Sequence, residues 1–187
     1  CDVVLTSMNV SLADDTDFLE AVEKAVRPET RMLYCESVSN PLLEVADIKE
    51  LSGLAKSKGF PLVADNTFTP LSIAPARLGA DIVIHSATKF LDGQGRCVGG
   101  AVVGPKVIVG EKVFGFLRTA GPAMSPFNAF QFLQGLETLP LRIGAHCRNA
   151  SAVAEFLHDR PEVERVIHAG SHTDPEQRRR AEAYLDG

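Results

Sequence analysis

The chain of 187 residues has no tryptophan and only two tyrosines, and no apolar run approaches the roughly 20 residues that span a membrane. Since such a run and a recognisable signal peptide are both lacking, a membrane protein is not expected and a cytoplasmic one is predicted. Basic residues are also sparse, since the formal net charge is -5 and the one dense cluster, residues 178–180, is typical of a solvated helix face. A nucleic-acid binder is therefore not expected.

Cysteines are too few and too scattered to form a framework. They are Cys1, Cys35, Cys97 and Cys147. Without a CxxC pair, neither a structural metal nor a set of disulfides is predicted, and a reducing compartment is the default. His168 and His172 are four residues apart but flank a predicted loop, so a metal pair on one helix face is not expected either.

What is present is an ordinary globular composition, with 45% hydrophobic and 23% charged residues. A chain of this length is sufficient for about one domain with a buried core. Because it opens on Cys1 rather than methionine, inside an apolar run, we expect it to be an internal fragment of a longer protein.

Alternating strand-like and helix-like segments predict an α/β fold with a mostly parallel sheet flanked by helices. Predicted strands are residues 3–5, 32–35, 62–64, 82–84 and 101–103, and predicted helices are residues 16–26, 47–58, 106–117, 128–139 and 141–157. The helix that begins near Asp47 has a capping-box spacing to Glu50 and a stop at Gly59. Pro140 predicts a boundary between a domain at 1–140 and a second, incomplete one at 141–187.

A lysine and two hydroxyls directly follow the apolar run at 81–85. Lys89 carries an amine that can form a Schiff base with an aldehyde cofactor, and Ser86 and Thr88 can bond a phosphate at the end of a buried strand. Asp65 ends the preceding apolar run, one β-α-β unit earlier, and can serve as the carboxylate partner of a pyridine nitrogen. Asp65 and Lys89 are therefore expected to face one crevice that binds pyridoxal 5'-phosphate.

Four motifs carry a family resemblance. They are Glu-Ser-Val-Ser-Asn-Pro at 36–41, Asp-Asn-Thr-Phe at 65–68, the stretch from Ser86 to Arg96, and Gly-Gly at 99–100. In order and spacing they resemble the Cys/Met-metabolism family of pyridoxal-phosphate enzymes, over about residues 31–157. Gly-Gln-Gly-Arg at 93–96 and the stretch at 119–129 look most like its O-succinylhomoserine sulfhydrylase branch.

The resemblance implies a fold-type I large domain, incomplete at its N-terminus, followed by the start of the C-terminal domain. It also implies the cofactor contacts Lys89, Asp65, Ser86, Thr88, Thr67 and Asn40. Asp65 could instead cap the following segment, Thr67 could bond its own backbone, and Asn40 before Pro41 is by itself a turn signal.

The activity that the resemblance implies is γ-replacement on an activated homoserine ester. O-succinylhomoserine and sulfide would give homocysteine in methionine biosynthesis and transsulfuration, in a homotetramer built from dimers. Alternatives within the family are cystathionine γ-synthase and a cystathionine or methionine lyase. An alternative of another class is a non-catalytic fragment that binds the cofactor weakly. A dinucleotide-binding domain is disfavoured, because no G-x-G-x-x-G follows the first strand.

Overall fold

A computed structural model of the protein describes residues 18–185. The strands are β1 (Leu33–Glu36), β2 (Leu62–Asp65), β3 (Ile82–Ser86) and β4 (Gly100–Val103). The α-helices are α1 (Phe18–Ala25), α2 (Ile48–Lys58), α3 (Phe114–Ala120), α4 (Pro126–Glu137), α5 (Leu139–His158) and α6 (Pro175–Tyr184). The predicted strand at 3–5 and the predicted start of the first helix lie outside the described residues.

The four strands form one sheet in the order β1-β2-β3-β4. β1, β2 and β3 are parallel, and β4 runs antiparallel to β3. Glu36 pairs with Asp65, which in turn pairs with Ile84, so the carboxyl ends of the three parallel strands meet at one edge of the sheet. The predicted α/β fold with a mostly parallel sheet is confirmed.

The main core lies between the sheet and α2. The side chain of Asp47 accepts the backbone N–H of Glu50 at 3.1 Å, and Gly59 ends the helix in a left-handed conformation with φ of 79°. Both signals were readable from the sequence, and both bounds of α2 agree with the prediction. The buried residues of this core are Val22, Val38, Val45, Ile48, Leu51, Leu54, Ala55, Leu62, Ala64, Ile73, Ala80 and Ala181.

The connection between β2 and β3 differs from the expected β-α-β unit. Within the described residues it consists of turns, with no helix between Asp65 and Ile82. Pro70 and Pro75 interrupt this stretch, and proline both lacks a backbone N–H and disfavours a helical residue before it. Asn66 organises the loop instead, because its buried amide donates to Ile73 O at 3.0 Å and its oxygen accepts from Thr69 Oγ1 at 2.8 Å.

The predicted helix at 106–117 is two elements in the structure, a π-helical segment (Lys106–Val113) that continues into α3. The next two predicted helices, α4 and α5, are separated by the single residue Thr138. Pro140 lies in the first turn of α5, where proline is tolerated because the N–H it lacks would be unpaired. It therefore does not end a helix, and the division into domains at residue 140 stays a prediction.

Helix α5 buries less than its apolar pattern suggests. Ile143 is buried, but the apolar residues Val153 and Phe156 of the same helix are 56% and 57% exposed. In the part of the chain that the structure describes, no helix is both long and apolar enough to cross a membrane.

Candidate cofactor site at the carboxyl edge of the sheet

Asp65 ends β2 with its carboxylate already held by two donors. Oδ1 accepts the backbone N–H of Thr67 at 2.9 Å, and Oδ2 accepts the hydroxyl of Tyr34 at 3.0 Å. An ionised carboxylate offers about four acceptor positions, so two of them are still available. Asp65 is half-buried rather than sealed in the core. Its carboxylate can therefore receive a further N–H donor.

Lys89 lies in the turn after β3. Its backbone N–H donates to Ser86 O at 3.3 Å, and its carbonyl accepts the N–H of Gly93 at 2.8 Å. The residue is exposed, and within residues 18–185 its ammonium group makes no hydrogen bond or ion pair. Its backbone is thus fixed while its amine is accessible to a small molecule at the sheet edge.

Thr67 joins the ends of β2 and β3. Its hydroxyl accepts the backbone N–H of Ser86 at 2.8 Å, so the loop that follows Asp65 is tied to the strand end that precedes Lys89. The Thr88 hydroxyl is engaged more loosely, with Gly99 O at 3.4 Å and Gly99 N at 3.3 Å. Asp65, Thr67, Ser86 and Lys89 therefore lie at one edge of the sheet, and a shared cofactor crevice there stays a prediction.

Asn40 lies in the loop that follows β1. Its backbone N–H donates to Glu36 Oε2 at 2.9 Å, and its side chain is exposed. The loop closes through an antiparallel bridge between Val38 and Val45. Since Glu36 pairs with Asp65, the Asn40 loop starts at the same edge as the other site residues.

The glycine-rich turn after Lys89 is held by an ion pair between buried Asp92 and the partly exposed side chain of Arg96. Asp92 is 1% exposed and accepts Arg96 Nε at 2.8 Å, Arg96 N at 2.7 Å and Gln94 N at 3.3 Å. Burial by itself raises the pKa of Asp92, but these hydrogen bonds outweigh it and the pKa lies below its usual value. The guanidinium of Arg96 is thereby fixed at the end of the turn.

Two residues of α5 contact this turn, and no role was predicted for either of them. Arg142 donates to Phe90 O at 2.8 Å, to Gly135 O at 2.7 Å and to Thr138 Oγ1 at 3.1 Å. The ring of His146 lies 5.8 Å from that of Phe90, measured between centroids. No local motif could have revealed these contacts, since Arg142 is 52 residues from Phe90.

Tyr34 and His85 complete the surroundings of Asp65. Tyr34 was not singled out from the sequence, although its place two residues before Glu36 puts it on the same face of the sheet as Asp65. His85 is half-buried, and its Nδ1 is buried without a partner among the described residues. Burial lowers the pKa of His85, while the charge of Asp65 opposes that shift.

These groups fit pyridoxal phosphate. An accessible amine, a carboxylate with free acceptor positions and the hydroxyls of Ser86 and Thr88 match its aldehyde, its ring nitrogen and its phosphate. Within residues 18–185, no group of three or more His, Cys, Asp or Glu side chains is arranged to hold a metal ion.

Known proteins share both the sequence and the fold. The chain is 52% identical over 168 residues to the O-succinylhomoserine sulfhydrylase of Pseudomonas aeruginosa, which covers 88% of this chain and 41% of that protein. It is 44% identical over 165 residues to the L-methionine gamma-lyase of Porphyromonas gingivalis, covering 87% of the chain and 41% of the relative.

A solved structure, that of cystathionine gamma-lyase from Lactobacillus plantarum complexed with L-serine, superposes with a TM-score of 0.86 at 34% identity. That match covers 90% of this chain and 44% of the other. The chain thus spans less than half the length of these relatives. A sequence model of the Cys/Met metabolism PLP-dependent enzymes matches residues 1–184. The chain belongs to this family of pyridoxal-phosphate-dependent enzymes.

Proposed function

We propose that the chain supplies the cofactor-binding part of a transferase that exchanges the ester group of O-succinylhomoserine for sulfide, giving homocysteine and succinate. The 52% identity to the Pseudomonas aeruginosa sulfhydrylase, against 44% to the Porphyromonas gingivalis lyase, is the observation that favours this reaction over elimination. Methionine biosynthesis in the cytoplasm is the corresponding role.

Lys89 and Asp65 divide the chemistry between them. Pyridoxal phosphate, when bound, supplies a ring that accepts electrons from the substrate's Cα. Lys89 would hold the cofactor through its amine and would serve as the base and acid that moves protons at the substrate's Cα and Cβ. Asp65 keeps a proton on the ring nitrogen, which makes the ring a better electron acceptor.

The remaining site residues bind and orient. The hydroxyls of Ser86 and Thr88 would donate hydrogen bonds to the phosphate. Thr67 accepts the backbone N–H of Ser86 and so maintains the spacing between the loop after β2 and the turn after β3. Asn40 contacts the cofactor's phenolic oxygen or the substrate carboxylate. In the overall reaction, succinate leaves Cγ with the electrons of the C–O bond, and sulfide forms the new C–S bond at the same carbon.

The second candidate is γ-elimination, favoured by the 44% identity to a methionine gamma-lyase. The same Lys89 and Asp65 would serve both reactions, which differ in their products: replacement puts a thiol in place of the leaving group, whereas elimination consumes water and releases a keto acid and ammonia. A homotetramer that shares active sites between subunits, and a domain boundary near residue 140, are parts of the same proposal.

The test uses the full open reading frame that contains this chain. It is assayed with O-succinylhomoserine, with and without sulfide, while homocysteine and 2-oxobutanoate are measured together. Homocysteine should dominate when sulfide is saturating, and O-acetylhomoserine should be a poorer substrate. A dominant keto acid would assign the protein to the lyases, and preferred formation of cystathionine from added cysteine would assign it to the synthases.

A further inference from the structure

Tyr34 is the one side chain from a neighbouring strand that bonds the Asp65 carboxylate, among residues 18–185. Tyr34 lies on β1 opposite Val63, two positions before the Glu36–Asp65 pair, so its side chain and that of Asp65 project from the same face. Its hydroxyl reaches diagonally across to Asp65 Oδ2 at 3.0 Å. Tyr34 as a residue is 56% exposed, so the contact does not arise from packing in the core.

The protonation states of Tyr34 and Asp65 determine which of the two donates this hydrogen bond. Burial of the hydroxyl, followed by the hydrogen bond to Asp65 and the charge of that carboxylate, raises the pKa of Tyr34 above its ordinary value. The phenol therefore stays protonated at neutral pH. An ionised carboxylate has no proton to give, so Tyr34 is always the donor and Asp65 the acceptor.

Two donors on opposite oxygens restrict how the carboxylate can rotate. Thr67 N binds Oδ1 from the loop that follows β2, and Tyr34 binds Oδ2 from β1. A ring N–H bonds a carboxylate well only when a lone pair of the carboxylate points along the N–H direction. A carboxylate whose plane is already set presents its free acceptor positions in a constant direction, whereas one held only by Thr67 N could turn.

We propose that Tyr34 is a positioning residue that orients the Asp65 carboxylate to receive the ring N–H of pyridoxal phosphate. The inference depends on the proposed role of Asp65. It assigns Tyr34 no contact with substrate and no proton transfer, because its action on the cofactor passes through Asp65.

The experiment is a cofactor titration of the protein and of Tyr34→Phe, which removes the hydroxyl and keeps the ring. We expect Tyr34→Phe to raise the dissociation constant of pyridoxal phosphate about 2- to 10-fold, the range that corresponds to one hydrogen bond. Tyr184→Phe is the matched control, since Tyr184 donates to Asp47 Oδ1 at 2.7 Å, at the N-terminus of α2, rather than to Asp65. It should leave the dissociation constant unchanged.

A double-variant cycle tests whether Tyr34 acts through Asp65. In an Asp65→Asn background, the effect of Tyr34→Phe on cofactor affinity should vanish. If it persists undiminished, Tyr34 acts on its own and the positioning role is wrong. Equal affinity of Tyr34→Phe and the unchanged protein overturns the role as well.

A measurement without cofactor examines the contact itself. The ultraviolet absorbance of the unchanged protein and of Tyr34→Phe is followed as the pH rises, and the difference between the two curves reports the ionisation of Tyr34 alone. It should occur well above pH ~10, the ordinary tyrosine value, and move down in Asp65→Asn. Ionisation of Tyr34 near the ordinary value would overturn the inference. If Tyr34→Phe fails to fold, identical alkaline titration curves of the unchanged protein and Asp65→Asn would overturn it as well. Failure of the unchanged protein to bind the cofactor would instead refute the proposed function together with this inference.

Discussion

At the scale of single residues, Asp65 and Lys89 differ in how far their side chains are already engaged. The carboxylate of Asp65 accepts two hydrogen bonds, whereas the ammonium group of Lys89 makes none within residues 18–185. The difference suits the proposed roles. A group that stabilises charge acts best when it is fixed in advance, and a group that exchanges cofactor for substrate and carries protons must be free to move.

Lys89→Ala should abolish covalent attachment of the cofactor. We expect borohydride treatment of the protein with pyridoxal phosphate to fix the cofactor on the peptide that contains Lys89, as measured by mass spectrometry. Lys106→Ala, at an exposed position in the π-helical segment, is the control and should retain the adduct. An adduct found on Lys106 or Lys112 in the unchanged protein would show that the assignment of Lys89 is wrong.

Asp65→Ala should leave the fold intact but slow the reaction. If the carboxylate supplies fixed electrostatic stabilisation, its removal costs about 3 to 4 kcal/mol of barrier, or roughly 100- to 1000-fold in kcat. Turnover of the full open reading frame and its far-ultraviolet circular dichroism measure the two effects separately. Asp159→Asn, at the exposed end of α5, is the control for loss of one carboxylate. Near-normal turnover of Asp65→Ala would reject the role.

The distance along the chain decides which residue contacts could be predicted. The bond between Asp47 and Glu50 joins residues three positions apart, and a local pattern reveals it. The apolar runs next to Asp65 and Lys89 are equally local signals. Tyr34 and Asp65 are 31 residues apart, and their contact depends on the strand register, which no local signal specifies. The family resemblance supplied the chemistry of Lys89, but it did not supply the partners that hold Asp65.

At the scale of elements, α5 connects the far part of the chain to the turn that carries Lys89. Arg142 donates to the carbonyl of Phe90 in that turn and to the carbonyl of Gly135 in α4. Gly135 is close enough to the turn that an added Cβ would collide with the carbonyl of Leu91. The absence of a side chain at Gly135 therefore lets α4 approach the turn, and Arg142 fastens it there.

Arg142→Met should weaken this connection while it keeps most of the side chain's volume. Loss of hydrogen bonds between a charged group and backbone carbonyls is expected to cost about 1.5–3 kcal/mol in the free energy of unfolding, and cofactor affinity should fall with it. Arg148→Met, exposed on the same helix, should change stability by less than about 0.5 kcal/mol. Denaturant unfolding measures the stability of both variants, and a cofactor titration measures their affinity. Equal losses in Arg142→Met and Arg148→Met would contradict the role of Arg142 in this connection.

Helix α6 contains an acidic residue, Glu176, that is bonded by two arginines of the same helix, Arg179 and Arg180. Hydrogen bonds from Arg179, opposed by burial and supported by Arg180, lower the pKa of Glu176 from 4.5 to about 2. Because the folded pKa lies below the unfolded one, the stabilisation is complete above pH 4.5 and is lost as the pH falls towards about 2.

Glu176→Gln should therefore lower the unfolding midpoint at pH 7, and its difference from the unchanged protein should shrink between pH 4.5 and about 2. Glu182→Gln, exposed on the same helix, is the control and should show little difference at any pH. Denaturant unfolding across this pH range provides the measurement. A difference that stays constant down to pH 2 would show that the arginine contacts do not depend on the charge of Glu176.

At the scale of the whole molecule, apolar periodicity predicted where helices form but not what covers them. The pattern on α5 indicated a buried face, yet Val153 and Phe156 are exposed within this chain. An apolar stripe predicts a contact without identifying the partner, which can be the domain's own core or another surface. The fold of the sheet and α2 was therefore predictable, whereas the surroundings of α4 and α5 were not.

Helix α4 offers the clearest exposed apolar surface. Phe127, Phe130 and Leu133 recur every three residues and each is more than half exposed. Surfaces of this kind on water-soluble domains are typical of contacts with another protein surface. In the proposed homotetramer, α4 would be such a contact, and a charge introduced there would be costly because it would lose water without gaining a partner.

Leu133→Glu should therefore shift the full open reading frame from its assembled form to a smaller species. Analytical ultracentrifugation measures the size, and circular dichroism checks that the helices persist. Gln134→Glu is the matched control, because it adds the same charge at the adjacent exposed polar position of α4. If Leu133→Glu and Gln134→Glu sediment alike, α4 faces solvent in the assembled protein, and the exposed apolar residues of this helix do not form a subunit contact.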